Sequence, residues 1–133
     1  MNKTNSSDVT LFLIEDDDID AMSIKREFKR RKIANPIIRA KDGLEASYFL
    51  DSGKIKRPFV ILLDLQMPRM NGLEFLTKLR ANSDYKNSVV FVFTTSEDEQ
   101  DISNSYEYNI AGYFIKDEVG DGFIGIVDIL DDY

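Results

Sequence analysis

The chain of 133 residues contains no cysteine and no histidine. That excludes disulfides, thiol chemistry, zinc sites built on Cys or His, and any Ser/His or Cys/His nucleophile pair. Carboxylates, hydroxyls and lysines remain, and any metal should be a hard, oxygen-seeking ion such as magnesium or calcium. Basic charge is short too: 17 Lys and Arg against 24 Asp and Glu give a net −7. A dedicated nucleic-acid binder normally carries a basic face, so no direct nucleic-acid partner is expected. No run approaches the ~20 apolar residues that a membrane span needs. The start, "MNKTNSSDVT", is too polar for a signal peptide, so "NKT" and "NSS" carry no meaning as glycosylation sites. The expectation is a cytoplasmic protein with no membrane partner, one domain over 1–133 with a polar tail at 1–9.

Four apolar runs stand out: "LFLI" (11–14), "FVILL" (59–63), "VVFVF" (89–93) and "GYFI" (112–115), with a weaker "PIIRA" (36–40). The strong runs are continuous rather than alternating, which suits strands covered on both faces. Helical patterns lie between them. Ala21, Ile24 and Phe28 form one stripe under a basic outer face; "DGLEASYFLDSG" and "NGLEFLTKLRAN" are two further helices. Ile102, Tyr106 and Ile110, four apart, predict the buried side of a fourth, and "DGFIGIVDILDDY" is a last, glycine-weakened one. The order βαβαβαβαβα implies an α/β fold, a flavodoxin-like (βα)5 with a five-stranded parallel sheet of order 2-1-3-4-5 and helices on both faces.

In that order, ligands bind beyond the carboxyl ends of the strands, where the first and third lie side by side. Glu15 and Asp16 follow the first strand, Asp64 ends the third, Thr94 and Thr95 the fourth, and Lys116 the fifth. Each has an ordinary reading: a helix cap, a turn residue, a strand threonine, a solvated lysine. Their convergence at one end is what argues for chemistry. Carboxylates and a carbonyl suit Mg2+, with Mn2+ as a substitute. An Asp carboxylate can then attack phosphorus, with Lys116 offsetting charge and Thr94 hydrogen-bonding a phosphoryl oxygen.

The sequence closely resembles the receiver domain of two-component response regulators, on the acidic pair, "LLDLQMPRMNG", "TTS" and the lysine, over about residues 11–130. The resemblance implies that Asp64 is the phosphoacceptor. It implies a metal site of Asp16, Asp64, Glu15 acting through water or hydrogen bonds, and the Gln66 carbonyl. Lys116 would pair with the phosphoryl group, Thr94 rather than Thr95 would be the switch hydroxyl by its spacing to Lys116 and Tyr113, and Tyr113 the aromatic switch. The side chains of Gln66 and Ser96 stand where the family tunes phosphoryl lifetime. A sensor histidine kinase or histidine phosphotransfer protein would supply the phosphoryl group, and a downstream protein would read it. The result is a stand-alone signalling switch rather than a multiple-turnover enzyme. The family's proline after the lysine is Asp117 here, so the Lys116–Asp117 peptide should be either trans with a rearranged loop, or cis and strained by roughly 3 kcal/mol. Receivers without that proline and with "TTS" resemble small ones paired with phytochrome-type kinases.

Competing readings are weaker. Asp16, Asp18, Asp20 and Glu27 match positions of an EF-hand loop, but Ala21 stands where its glycine should be. "GDGFIG" matches a dinucleotide loop with too little chain after it. "KREFKRRK" (25–32) is a solvated helix face or a docking surface for the phosphodonor. A receiver-like interaction module that works without phosphorylation is the alternative, disfavoured by the complete residue set. A haloacid-dehalogenase-type phosphatase needs an acid where Gln66 stands.

Overall fold

The computed structural model describes residues 8–116. Within them the elements alternate: β1 (Thr10–Ile14), α1 (Asp18–Arg30), β2 (Ile37–Ala40), α2 (Gly43–Asp51), β3 (Phe59–Leu63), α3 (Gly72–Ala81), β4 (Val89–Thr94), α4 (Glu99–Glu107) and β5 (Gly112–Ile115). The strands form one parallel sheet of order β2-β1-β3-β4-β5. Central β1 and β3 pair in register from Thr10↔Phe59 to Ile14↔Leu63. The final helix pattern, "GDGFIG" and the peptide after Lys116 lie outside the described residues.

Alternation of side chains across the strands divides the core in two. Phe12, Ile14, Ile61, Leu63, Val90 and Val92 face α2 and α3, where they meet Ala46, Leu50, Phe75, Leu76 and Leu79. Leu11, Leu13, Val60, Leu62, Phe91 and Phe93 face α1 and its stripe of Ala21, Ile24 and Phe28. All five residues of β3 are buried, which is why its sequence is apolar without alternation. Val9, assigned to the polar tail on sequence, is buried in the α1-side core, and its carbonyl accepts from Asn35 Nδ2 at 2.8 Å.

Local chemistry fixes the helix starts. Asp17, Asp42, Asn71 and Asp98 each cap a helix with a side-chain oxygen that accepts from backbone N–H groups of the first turn. Asn71 and Glu74 complete a reciprocal capping box on α3. The buried side of α4 differs from the periodic reading. Tyr106 is exposed and Ile102 half-buried; Ile110 is buried as expected but lies beyond the helix end, and Ser105 is the buried residue of the helix, its hydroxyl donating to the Asp101 carbonyl at 2.7 Å. α4 packs against both β5 and α3. A helix wedged between two neighbours turns a small residue into the crevice, and its apolar periodicity no longer marks the buried line.

Candidate functional site

The register of the sheet brings the strand ends together. The N–H of Asp64 donates to the Ile14 carbonyl at 3.0 Å and that of Glu15 to the Ala40 carbonyl at 3.0 Å, so both acids leave their strands at one level. Glu15, Asp64 and Thr94 are buried, and Asp16 is the more accessible member of the acidic set. Carboxylate oxygens of Glu15, Asp16 and Asp64 lie within 4.8 Å of one another. One small cation with oxygen bonds of about 2–2.6 Å can span such a set. With no His or Cys anywhere in the chain, the donors suit a hard ion. On spacing and donor chemistry the residues therefore fit a divalent metal.

Lys116 reaches over this cluster from the end of β5. Its Nζ lies 2.7 Å from Glu15 Oε1, 2.6 Å from Asp20 Oδ2 and 3.1 Å from Asp64 Oδ2. Burial, reinforced by the charge of Asp64, pushes Glu15 up to about 8 despite the opposing pull of Lys116. Burial works to lower Lys116, but the bonds to Asp20 and Glu15 and the charges of Asp64 and Glu15 outweigh it and hold the ammonium above its ordinary range. Among the described residues no buried side-chain nitrogen or oxygen lacks a hydrogen-bond partner.

The β3–α3 loop frames the other side. Gln66 N–H donates to Asp64 Oδ1 at 3.1 Å, which sets the Gln66 backbone beside the carboxylate. The Gln66 side chain accepts from Thr95 Oγ1 at 2.7 Å across the mouth of the site. A Cβ on Gly72 would stand 2.6 Å from the Asp64 carbonyl and 2.6 Å from Leu65 Cα, so α3 approaches the loop more closely than any side chain permits. Arg69 takes the left-handed conformation, φ 63°, and closes on buried Asp42, its Nε donating to Oδ2 at 2.7 Å.

Thr94 and Tyr113 take a buried and a half-buried position beside the loop after β4. Thr94 is fully buried, whereas Thr95 is exposed. Thr94 Oγ1 accepts from Ser96 N–H at 3.4 Å. The Ser96 hydroxyl is bound to Asp101 at 2.6 Å. Tyr113 is half-buried and donates from its hydroxyl to the Ser96 carbonyl at 2.8 Å, joining β5 to the loop after β4. Burial raises its phenol pKa, and the charges of Asp101, Asp98 and Asp64 add to that against the opposing bond to Ser96.

The model of the response regulator receiver domain family matches residues 11–126. The chain belongs to the response regulator receiver domain family. Receivers accept a phosphoryl group in two-component signalling, are phosphorylated by histidine kinases and bind a divalent metal, and this chain shares that general role. It is 34% identical over 120 residues to the response regulator Rcp1 of Synechocystis sp., spanning 87% of this chain and 82% of Rcp1. Against the Mn2+-bound crystal form of Rcp1 the TM-score is 0.74, over 80% of each chain. The phosphorylated cyanobacterial phytochrome response regulator RcpA is 29% identical, with a TM-score of 0.74 over 81% of this chain and 80% of that one. The nitrate/nitrite response regulator NarL of Escherichia coli K12 is 32% identical over 86% of this chain, which spans 50% of NarL.

Two participants escaped the sequence reading. Asp20 stands four residues after Asp16, a spacing visible in the sequence but weighed there only as part of an EF-hand-like pattern. Arg39 donates from Nε to the Glu15 carbonyl at 2.9 Å and from Nη2 to the Asp16 carbonyl at 3.1 Å, with no local motif to announce it. Asp17, without a role on sequence, is the cap of α1. No described helix is long and apolar enough to cross a membrane, and the basic run 25–32 is mostly exposed around buried Phe28.

Proposed function

We propose that this receiver takes a phosphoryl group onto Asp64 from a phosphohistidine of a sensor kinase or phosphotransfer protein, in a Mg2+-dependent step, and presents the change to a downstream protein. The observation that carries this reading is the meeting of Glu15, Asp16 and Asp64 around one point, with Lys116 on Asp64. A carboxylate oxygen of Asp64 forms the new O–P bond as the P–N bond to the donor imidazole breaks, and the imidazole nitrogen leaves with the electron pair.

Glu15, Asp16, Asp64 and the Gln66 carbonyl would hold the ion, whose charge offsets the phosphoryl oxygens when bound. Lys116 offsets charge from the β5 side. Thr94, buried at the end of β4, supplies the hydroxyl that answers a phosphoryl oxygen. Tyr113 follows because its hydroxyl is already bound to the loop that Thr94 opens. That coupling makes the β4–α4 loop and β5 the part of the surface that changes. The protein acts as a switch and not as a turnover catalyst. RcpA, a phytochrome response regulator, suggests a phytochrome-type kinase as one donor class.

The test is intact-mass measurement after incubation with Mg2+ and acetyl phosphate. One hydroxylamine-labile phosphoryl adduct is expected, lost with EDTA and absent in Asp64→Asn. No adduct under conditions that label a known receiver would sink the proposal. Phosphate release over many turnovers would favour a phosphatase instead.

A further inference from the structure

The ammonium of Lys116 has one partner that the proposed reaction does not use. Glu15 and Asp64 belong to the acidic set, but Asp20 sits on the first turn of α1 and makes the shortest of the three contacts, 2.6 Å. Its place is fixed by the helix start: Asp17 Oδ1 accepts from the Asp20 N–H at 3.0 Å and from the Ile19 N–H at 2.8 Å. The Lys116 side chain is only 13% exposed and that of Asp20 39%. The pair therefore lies at the rim of the site, where water screens it only in part.

Resting on the phosphoacceptor reading of Asp64, we propose that Asp20 is a positioning residue that restrains Lys116, so that accepting a phosphoryl group requires the ammonium to be drawn off an α1 carboxylate. Lys116 cannot give its full charge to a phosphoryl oxygen while it is shared with Asp20. Asp20 also leaves one further negative charge beside the place where the dianionic group arrives. Both effects favour the unphosphorylated state. Neither is a property of the acidic pair, and neither requires Asp20 to touch phosphorus. The restraint joins α1 to the end of β5, so it gives the phosphodonor a second way to act. Contact with the first turn of α1 that moves Asp20 would release Lys116.

The test is a double-mutant cycle of Asp20→Asn and Lys116→Met, read in two ways. Urea unfolding in EDTA comes first and needs no phosphorylation. The loss caused by Asp20→Asn should be smaller in the Lys116→Met background than in the wild type, and equal losses would overturn the inference. The second reading is the rate of adduct formation with Mg2+ and acetyl phosphate. Asp20→Asn should speed it about three- to tenfold, the effect of one unit charge several ångströms away in a partly solvated site. The same change should give a smaller gain in Lys116→Met, where only the direct charge of Asp20 is removed, and Asp20→Glu should restore the slow rate. A gain of equal size in both backgrounds, or no gain in the wild type, overturns the inference, because a role confined to helix α1 would not depend on Lys116. A wild type that takes no adduct at all, beside a known receiver that does, removes the phosphoacceptor reading itself and this inference with it.

Discussion

Arg39, in β2, holds the backbone of the acidic pair: its Nε donates to the Glu15 carbonyl at 2.9 Å and its Nη2 to the Asp16 carbonyl at 3.1 Å. The same guanidinium meets Asp18 at 2.7 Å. A planar fork with fixed donors can serve both carbonyls and the carboxylate together, and an ammonium cannot. Arg39→Met should cost about 1–3 kcal/mol in urea unfolding, because two carbonyls lose charged donors. It should also weaken Mn2+ binding severalfold by calorimetry, with Arg39→Lys intermediate. Unchanged Mn2+ affinity in a folded Arg39→Met protein would show that the loop holds its shape without the clamp.

Gly72 is the second point where the fold sets the site. An added Cβ would stand 2.6 Å from the Asp64 carbonyl and 2.6 Å from Leu65 Cα, both backbone atoms that cannot turn aside as a side chain would. Gly72→Ala should destabilise the protein by about 1–3 kcal/mol and slow phosphorylation of Asp64 at temperatures where the variant is still folded. A variant of native stability and native labelling rate would contradict the close approach.

Asp42 gives a pH dependence. Burial acts to raise its pKa, but the Glu45 N–H and the Arg69 guanidinium, with smaller help from the Leu44 N–H, outweigh it and leave the carboxyl below its usual value. A depressed native pKa contributes stability that is present above the unfolded value, about 3.9. That contribution is lost as pH falls through the native value. Asp42→Asn should therefore be less stable than the wild type at neutral pH, and the gap should narrow as pH falls below about 4. Loss of the α2 cap alone accounts for about 1 kcal/mol in Asp42→Ala. Chemical unfolding at pH 7 and below pH 4 checks the sign.

The acidic set predicts a response to metal. Burial, reinforced by the charge of Asp64, pushes Glu15 up to about 8, so the metal-free site resists ionising all its carboxylates together. Mn2+ or Mg2+ at 100 times its dissociation constant should stabilise the fold by about 2.7 kcal/mol, and EDTA should reverse this. Asp64→Asn should be more stable than the wild type in EDTA by on the order of 1 kcal/mol, yet gain little from added metal. Thermal melts with and without EDTA measure both. A wild type whose melting midpoint ignores metal would remove Glu15, Asp16 and Asp64 as a metal site.

The strands were legible because each strong one is a nearly unbroken apolar run, a pattern that burial on both faces imposes residue by residue. Strand–helix alternation then left few topologies, and the observed order follows from them. Glu15, Asp64, Thr94 and Lys116 were legible because each stands at the end of such a run, and the sheet places those ends at one level. Helix α4 was misread on one side, since Ser105 is buried where Tyr106 was expected inside.

The sequence by itself determined the parallel sheet, the helical stretches between its strands and the residues delivered to the carboxyl edge, because those depend on local periodicity and chain order. Only the tertiary structure decided what surrounds them. Lys116 meets Asp20 across 96 positions and Arg39 meets Asp16 across 23. Such contacts depend on how α1 and β2 lie against the ends of β1 and β5, and long charged side chains take whichever partner the packing brings within reach. The acidic stretch after β1 thus separates into distinct parts: two metal-site candidates, a helix cap in Asp17, an Arg39 partner in Asp18, and a restraint on Lys116 in Asp20.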